Sequence, residues 1–325
     1  MASKNFMDLP PRVRQKAKKE LHEDERNVEA HLESFRRWVS ALPHIKFPTD
    51  SHLLIPFLRH AKYMHSKAQA RLDNFCTLRA SAQLGAPQWF QYPSLSEPCV
   101  DEFLKAGIII DLGRTDDDIT VLLIRLGAWN IDRLSRNDLR RMRHMDIDRV
   151  LSDPIVQVAG AALLFDLTGV SSNQLFKDND LKEMKTEMKI WQEGYPTRMK
   201  YLIFYNESTI MDAMFKLMEA WWSKKMKERV VRVKSNLRKA IDKIPGLERL
   251  LPREYGGHNG PLNQLIEEKE RRFREFYSQP SHWRDIQVNE SLRPSAAKYY
   301  MREYKDVQSN LFGSKGTYVK IDPGD

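Results

Sequence analysis

Three short runs constrain the architecture of this chain more than anything else in it. Residues 119–126, 159–167 and 199–205 are apolar with few interruptions, and each is too short for a long helix. A strand with one wet face alternates apolar and polar side chains, whereas a strand buried on both faces does not. Runs of this kind predict a mostly parallel sheet covered by helices. Residues 178–193, between the last two runs, read as a helix of crossover length. The short run 230–233 reads as one more strand. The expectation for this part of the chain is an α/β sandwich.

The preceding part has another period. Residues 12–24 alternate in charge like a solvated helix. Val28, Leu32, Phe35 and Val39 recur at helical spacing over residues 25–41. Thr49 or Asp50 starts a third helix carrying Leu53, Leu54, Phe57 and Leu58, and residues 66–82 form a fourth. Pro87, Pro93 and Pro98 then mark a connection between the helical part and the α/β part.

The most informative segment is residues 209–224. Asp212, Lys216, Glu219 and Ser223 form one narrow polar stripe, while Ile210, Met211, Met214, Phe215, Leu217, Met218, Trp221 and Trp222 fill the remaining circumference. A core helix satisfies this pattern. So does a lid with a ligand on one side and a bilayer on the other. Lys224, Lys225, Lys227, Arg229, Arg232 and Lys234 come directly after it. Basic residues suit any helix C-terminus, and they also suit anionic headgroups. Farther on, Leu250-Leu251-Pro252-Arg253-Glu254-Tyr255-Gly256-Gly257 pairs two glycines but lacks the Lys and Ser/Thr of a phosphate-binding loop.

Charge and motif content narrow the function. The 325 residues carry a formal net charge of +9, which favours an anionic partner. No zinc-finger spacing or RNP-type strand points to nucleic acid, so a membrane surface is the expected partner. No apolar run approaches the roughly 20 residues of a spanning helix. The first residues lack a signal-peptide layout, and Cys76 and Cys99 form no disulfide framework, so a cytoplasmic protein with reduced thiols is expected. Neither Gly-x-Ser-x-Gly nor His-Glu-x-x-His occurs, and no enzyme activity, catalytic residue, metal site or cofactor is expected.

Taken in order, Phe57-Leu58-Arg59, Phe165-Asp166-Leu167-Thr168-Gly169, the Pro-led strand from Tyr195 to Ser208 and the Leu-Pro-x-Glu-Tyr-Gly-Gly string resemble the CRAL-TRIO lipid-transfer family. The resemblance implies an α/β fold with an N-terminal all-helical domain (1–90), an α/β/α CRAL-TRIO sandwich with a mobile gate helix (91–280) and a C-terminal extension (281–325). It implies a pocket lined by Phe165, Ile190, Tyr195, Thr197, Leu202, Phe204, Met211 and Phe215. Phe176, Ile210, Met214 and Leu217 take the membrane-facing gate positions, and Arg198, Lys200, Lys225 and Arg229 the phosphoinositide-binding positions. Residues 137–153 are more charged than the corresponding family helix.

The function so implied is a carrier of one hydrophobic small molecule, such as a tocopherol, retinoid or carotenoid. It exchanges its cargo through reversible, peripheral contact with phosphoinositide-containing membranes. The alternatives within the same resemblance are a phosphatidylinositol or phosphatidylcholine transfer protein and a phosphoinositide-sensing adaptor.

Overall fold

The computed structural model describes residues 8–177, 180–279 and 285–294. The chain starts with α1 (Pro11–Lys16), which widens into a π-helical turn over Ala17–Leu21. The expected helix 12–24 therefore stops early, at His22, whose left-handed φ of 61° ends it. Next come α2 (Val28–Ser40), β1 (Ile45–Lys46), α3 (Ser51–His60) and α4 (His65–Ala80). Asp50 occupies the N-cap position of α3. The apolar faces of α2, α3 and α4 close one core around Leu32, Phe35, Phe57 and Phe75, which are essentially inaccessible.

Arg59, in the middle of that apolar packing, is also fully buried. Its guanidinium donates to both Glu23 oxygens at 2.9 Å and to Gln157 Oε1 at 2.8 Å. A buried guanidinium is tolerated only when its donors are met in this way. The Phe-Leu-Arg segment thus ties the helical part to the sandwich at the helix that carries Gln157.

The sandwich contains α5 (Pro98–Lys105), β2 (Ile109–Arg114), β3 (Thr120–Arg125), α6 (Arg136–Leu151), α7 (Pro154–Ala159), β4 (Ala161–Asp166), α8 (Ser172–Phe176), α9 (Leu181–Lys189), β5 (Met199–Tyr205), α10 (Thr209–Glu219), α11 (Lys224–Lys227), β6 (Val230–Arg232), α12 (Arg238–Lys243), α13 (Leu247–Leu250) and α14 (Leu262–Tyr277). The five strands run in the order β2-β3-β4-β5-β6. The pairs β3–β4, β4–β5 and β5–β6 are parallel, and only β2–β3 is antiparallel. All four runs marked as strands in the sequence lie in this sheet. The edge strand β2 had no comparable signal, because Asp111 and Gly113 interrupt it.

Alternation assigns the two faces. Val121, Leu123, Ala162, Leu164, Ile203 and Val231 pack beneath α12 and α13 against Leu237, Ala240 and Leu247. Leu122, Leu163, Leu202 and Phe204 point the other way, toward α6, α9 and α10.

Several local devices fix these helices. Ser135 caps α6, Asp153 caps α7 and Asp180 caps α9, while Ser171 and Gln174 form a capping box on α8. Near the end of the described chain, β7 (Gln287–Val288) pairs antiparallel with β1. Beyond it, Arg293 reaches Asp73 at 2.9 and 3.0 Å and Thr77 at 2.8 Å. This return of the chain to the first helices had no signal in the sequence.

Candidate functional site: an apolar cavity beside a basic cluster

A cavity of about 280 Å³ lies between the sheet and the helices that cover it. Leu122, Ile124, Leu163, Phe165, Leu202 and Phe204 form its floor. One wall comes from α9 and the turn after it, where Met184, Glu187, Met188, Trp191 and Gln192 share a helical face. The roof is α10 with the turn after it, contributing Met211, Met214, Phe215, Met218, Trp221 and Trp222. Phe165 and Phe204 stack at 4.9 Å, and Phe215 meets Phe204 edge-on at 4.6 Å.

The helix α10 ends at Glu219, short of the expected 224, so both tryptophans sit in the connection to α11. Its polar stripe behaves as the spacing requires: Asp212, Lys216 and Glu219 are not buried. Of the gate positions, Met214 lines the cavity and Leu217 is buried, so neither offers an outward face in this arrangement. Phe176 packs half-buried against the same cluster. The side chain of Ile210 lies outside the described residues.

Six of the eight expected pocket residues line the cavity: Phe165, Thr197, Leu202, Phe204, Met211 and Phe215. Ile190 and Tyr195 do not. Helix α9 passes at Ile190 into a π-helical turn closed by the Tyr195 N–H on the Ile190 carbonyl at 2.9 Å. By ordinary helical spacing Ile190 already points away from the face shared by Met184, Met188 and Trp191, and Tyr195 follows the turn in extended backbone. Both side chains consequently enter the core of the helical part, with Tyr195 edge-on to Phe75. The Tyr195 hydroxyl lies 2.7 Å from His144 Nδ1.

The charged character of α6 reaches the cavity. Arg136, Arg140, Arg143 and Asp146 all line it, as do Gln174 and Gln192. The sequence shows the charge of this helix but gives it no place. Arg140 pairs with Glu183 at 3.0 Å, Arg143 pairs with Glu187, and Asp146 is held by Lys269 at 2.7 Å. Burial raises the Glu187 carboxyl, but Arg143, His144 and Arg140 outweigh it and hold it below its ordinary range.

Arg198 and Lys200, at the start of β5, come together with Lys225 and Arg229, on and just after α11. Burial depresses Lys225, and Arg229, Lys62, Arg198 and Lys200 depress it further by repulsion. The nearby His60 is lowered well below its ordinary range by burial and then by Arg71, Lys225, Arg198 and Arg229. Lys62, before α4, and Arg71, on it, had no assignment to this cluster in the sequence; only proximity in the fold reveals them.

The cluster has two halves. Glu20 pairs with Arg198 at 2.8 Å and with Lys200 at 3.4 Å, and the Arg198 guanidinium also donates to the Val158 carbonyl. Lys225 and Arg229 make no ion pair among the described residues.

Residues 104–257 match the sequence profile of the CRAL/TRIO domain, ending on the paired glycines. The chain carries a CRAL/TRIO domain. Its relatives include a protein named Alpha-tocopherol transfer protein-like from Mus musculus, 26% identical over 289 residues, which cover 86% of this chain and 81% of that protein. Clavesin-2 from Homo sapiens is 24% identical over 257 residues, covering 78% and 76% respectively. Among solved structures, one described as Crystal structure of Sfh5 shares 14% identity and a TM-score of 0.46, covering 79% of this chain and 91% of that one.

The CRAL/TRIO domain supplies the floor, walls and roof of the cavity, whereas Glu20, Lys62 and Arg71 come from the helices before it. Its terminal motif closes the fold. Gly256 has φ 77°, and a Cβ on Gly257 would lie 2.2 Å from the Leu251 carbonyl oxygen. The turn so formed aims the Tyr255 hydroxyl at Asp166 Oδ2, at 2.5 Å.

Proposed function

We propose that this protein is a lipid carrier that holds one hydrophobic small molecule, of the tocopherol, retinoid or carotenoid type, in the cavity beneath α10. It exchanges that molecule at phosphoinositide-bearing membranes, acting from the cytoplasm as a reversible peripheral protein. The observation that carries this reading is the division of α10: Met211, Met214 and Phe215 contact the cavity while Asp212, Lys216 and Glu219 face out. A roof built this way shields an apolar cargo from water, and its movement exposes cargo and apolar helix face together. No helix among the described residues is long and apolar enough to cross a membrane.

The basic cluster supplies the docking element in this scheme. Lys225 and Arg229 lie just beyond the roof in the chain, so an anionic headgroup bound there brings α10 to the bilayer surface. The relative named for tocopherol transfer supports the choice of cargo class.

Native mass spectrometry of the purified protein, with organic extraction of the bound molecule, tests the reading directly. A stoichiometric apolar isoprenoid is the expected result. A stoichiometric phospholipid replaces this reading with phospholipid transfer, and a protein that takes up no lipid from vesicles of any composition abolishes it.

A further inference from the structure

Arg232 belongs to the same basic run as Lys225 and Arg229, yet it is engaged with the roof. It ends the edge strand β6 and pairs in register with Phe204, a floor residue, so alternation turns its side chain to the roof side of the sheet. There its guanidinium grips the roof at three points. Nε donates to Glu207 Oε2 at 2.6 Å, Nη2 pairs with both Glu207 and Asp212, and the group lies over the Phe215 ring, 4.5 Å from its centroid. Glu207 stands just before α10 and Asp212 in its first turn, so both acids mark the N-terminal end of the roof. The opposite end is fastened without charge: Gln192 Nε2 donates to the Trp221 carbonyl and Gln192 Oε1 accepts from the Ser223 N–H, both at 3.1 Å.

Resting on the carrier reading, we propose that Arg232 is the positioning residue that clasps the roof shut, and that a lipid phosphate at the bilayer surface opens it by taking the guanidinium from Glu207 and Asp212. The clasp is unequal by construction. Glu207 is 4% accessible, whereas Arg232 and Asp212 are 43% and 58% accessible. The exposed arm is therefore within reach of a competing anion and is weakened by salt. The buried arm sets the response, because a carboxylate that loses its cation inside the protein is costly until it regains water. Lifting the first turn of α10 returns Glu207 to water and uncovers Phe215, a roof residue of the cavity. Phosphate accepts the forked guanidinium donors as a carboxylate does, and an anionic membrane presents it at high local density. The amide fastening at Trp221 and Ser223 carries no charge, so the same anion leaves that end in place and α10 turns about it.

The test follows escape of a bound fluorescent fatty probe from the full chain after excess unlabelled competitor is added, without vesicles. Arg232→Met is expected to release the probe about tenfold faster, as loss of a charge-assisted pair to a buried carboxylate implies. Asp212→Asn, which removes only the exposed arm, is expected to give about threefold. Lys216→Gln, a charge change on the outer face of the same helix, is expected to leave the rate unchanged. With acceptor vesicles, the unmodified protein is expected to release faster to phosphatidylcholine containing phosphoinositide than to phosphatidylcholine alone. Arg232→Met is expected to lose most of that difference. Unchanged escape in Arg232→Met and Asp212→Asn, or equal acceleration by Lys216→Gln, overturns the clasp and leaves the carrier reading intact. Inorganic phosphate that alone brings the unmodified protein to the rate seen with anionic vesicles overturns the membrane as the trigger. A chain that never takes up the probe overturns both readings. Because Asp212 lies on the surface, Asp212→Asn decides the matter even where Arg232→Met does not fold.

Discussion

Arg59 and Glu23 form a bidentate ion pair, with both contacts at 2.9 Å, inside the apolar core where the first helices meet α7. Removing one member leaves the other charge buried without a partner, at a cost of about 3–5 kcal/mol. Arg59→Ala is therefore expected to lower the urea midpoint sharply. Pairing Arg59→Met with Glu23→Leu is expected to recover much of that loss, because no buried charge is then stranded. Chemical denaturation of the two proteins checks this.

The hydroxyl of Tyr255 is a smaller fastener. It donates to Asp166, whose other oxygen accepts from the Thr168 amide at 2.9 Å. Burial and the Asp166 charge raise the phenol, so it stays protonated and keeps donating. Tyr255→Phe removes one charge-assisted hydrogen bond and is expected to lower stability by about 1.5 kcal/mol. Thermal unfolding measures it, and the secondary structure content is expected to remain unchanged.

Buried imidazoles make the fold sensitive to acid. Burial lowers His144 to about 3, with Arg143, Arg79 and Arg140 acting the same way against Glu187. The unfolded chain protonates near the ordinary value of about 6.5, so below that pH it binds a proton that the native state refuses. Stability is therefore lost as pH falls from about 6.5, by about 2 kcal/mol from this one group at pH 5. His60 and His65, both lowered chiefly by burial, add in the same direction. Urea midpoints at pH 7.5 and 5.0 test it, and His144→Phe is expected to flatten the slope.

Lys225 and Arg229 are the open half of the basic cluster. Lys225→Ala with Arg229→Ala is expected to weaken binding to phosphoinositide vesicles by about 2 kcal/mol, roughly 30-fold, at low salt. The difference should shrink as ionic strength rises. Arg198→Ala is expected to have a weaker effect, since Glu20 already occupies that guanidinium. Vesicle sedimentation provides the comparison, and unchanged binding by the double variant rules the cluster out as the docking element.

Much of this was legible along the chain because burial on two faces leaves a mark on short segments. The runs at 119–126, 159–167, 199–205 and 230–233 all became strands of one sheet, and the stripe Asp212, Lys216, Glu219 became the outer face of the roof. Strand β2 escaped notice because an edge strand carries Asp111 and Gly113 where an inner strand would be apolar. Ile190 lies off the Met184–Met188–Trp191 face of α9, and Tyr195 sits in extended backbone after the turn Ile190–Gly194, so both pack into the helical part and not into the cavity.

The sequence by itself determined the layered α/β architecture behind a helical part, and which helix covers the sheet. Those properties come from periodicity, which is local. The partnerships of charges had to wait for the tertiary structure: Glu20 on Arg198 spans 178 positions, Lys269 on Asp146 spans 123, and Arg143 on Glu187 spans 44. Electrostatic pairing depends on separation in space and has no period along the chain. For that reason the charges of α6 had no evident place in the sequence, yet they line the cavity in the fold.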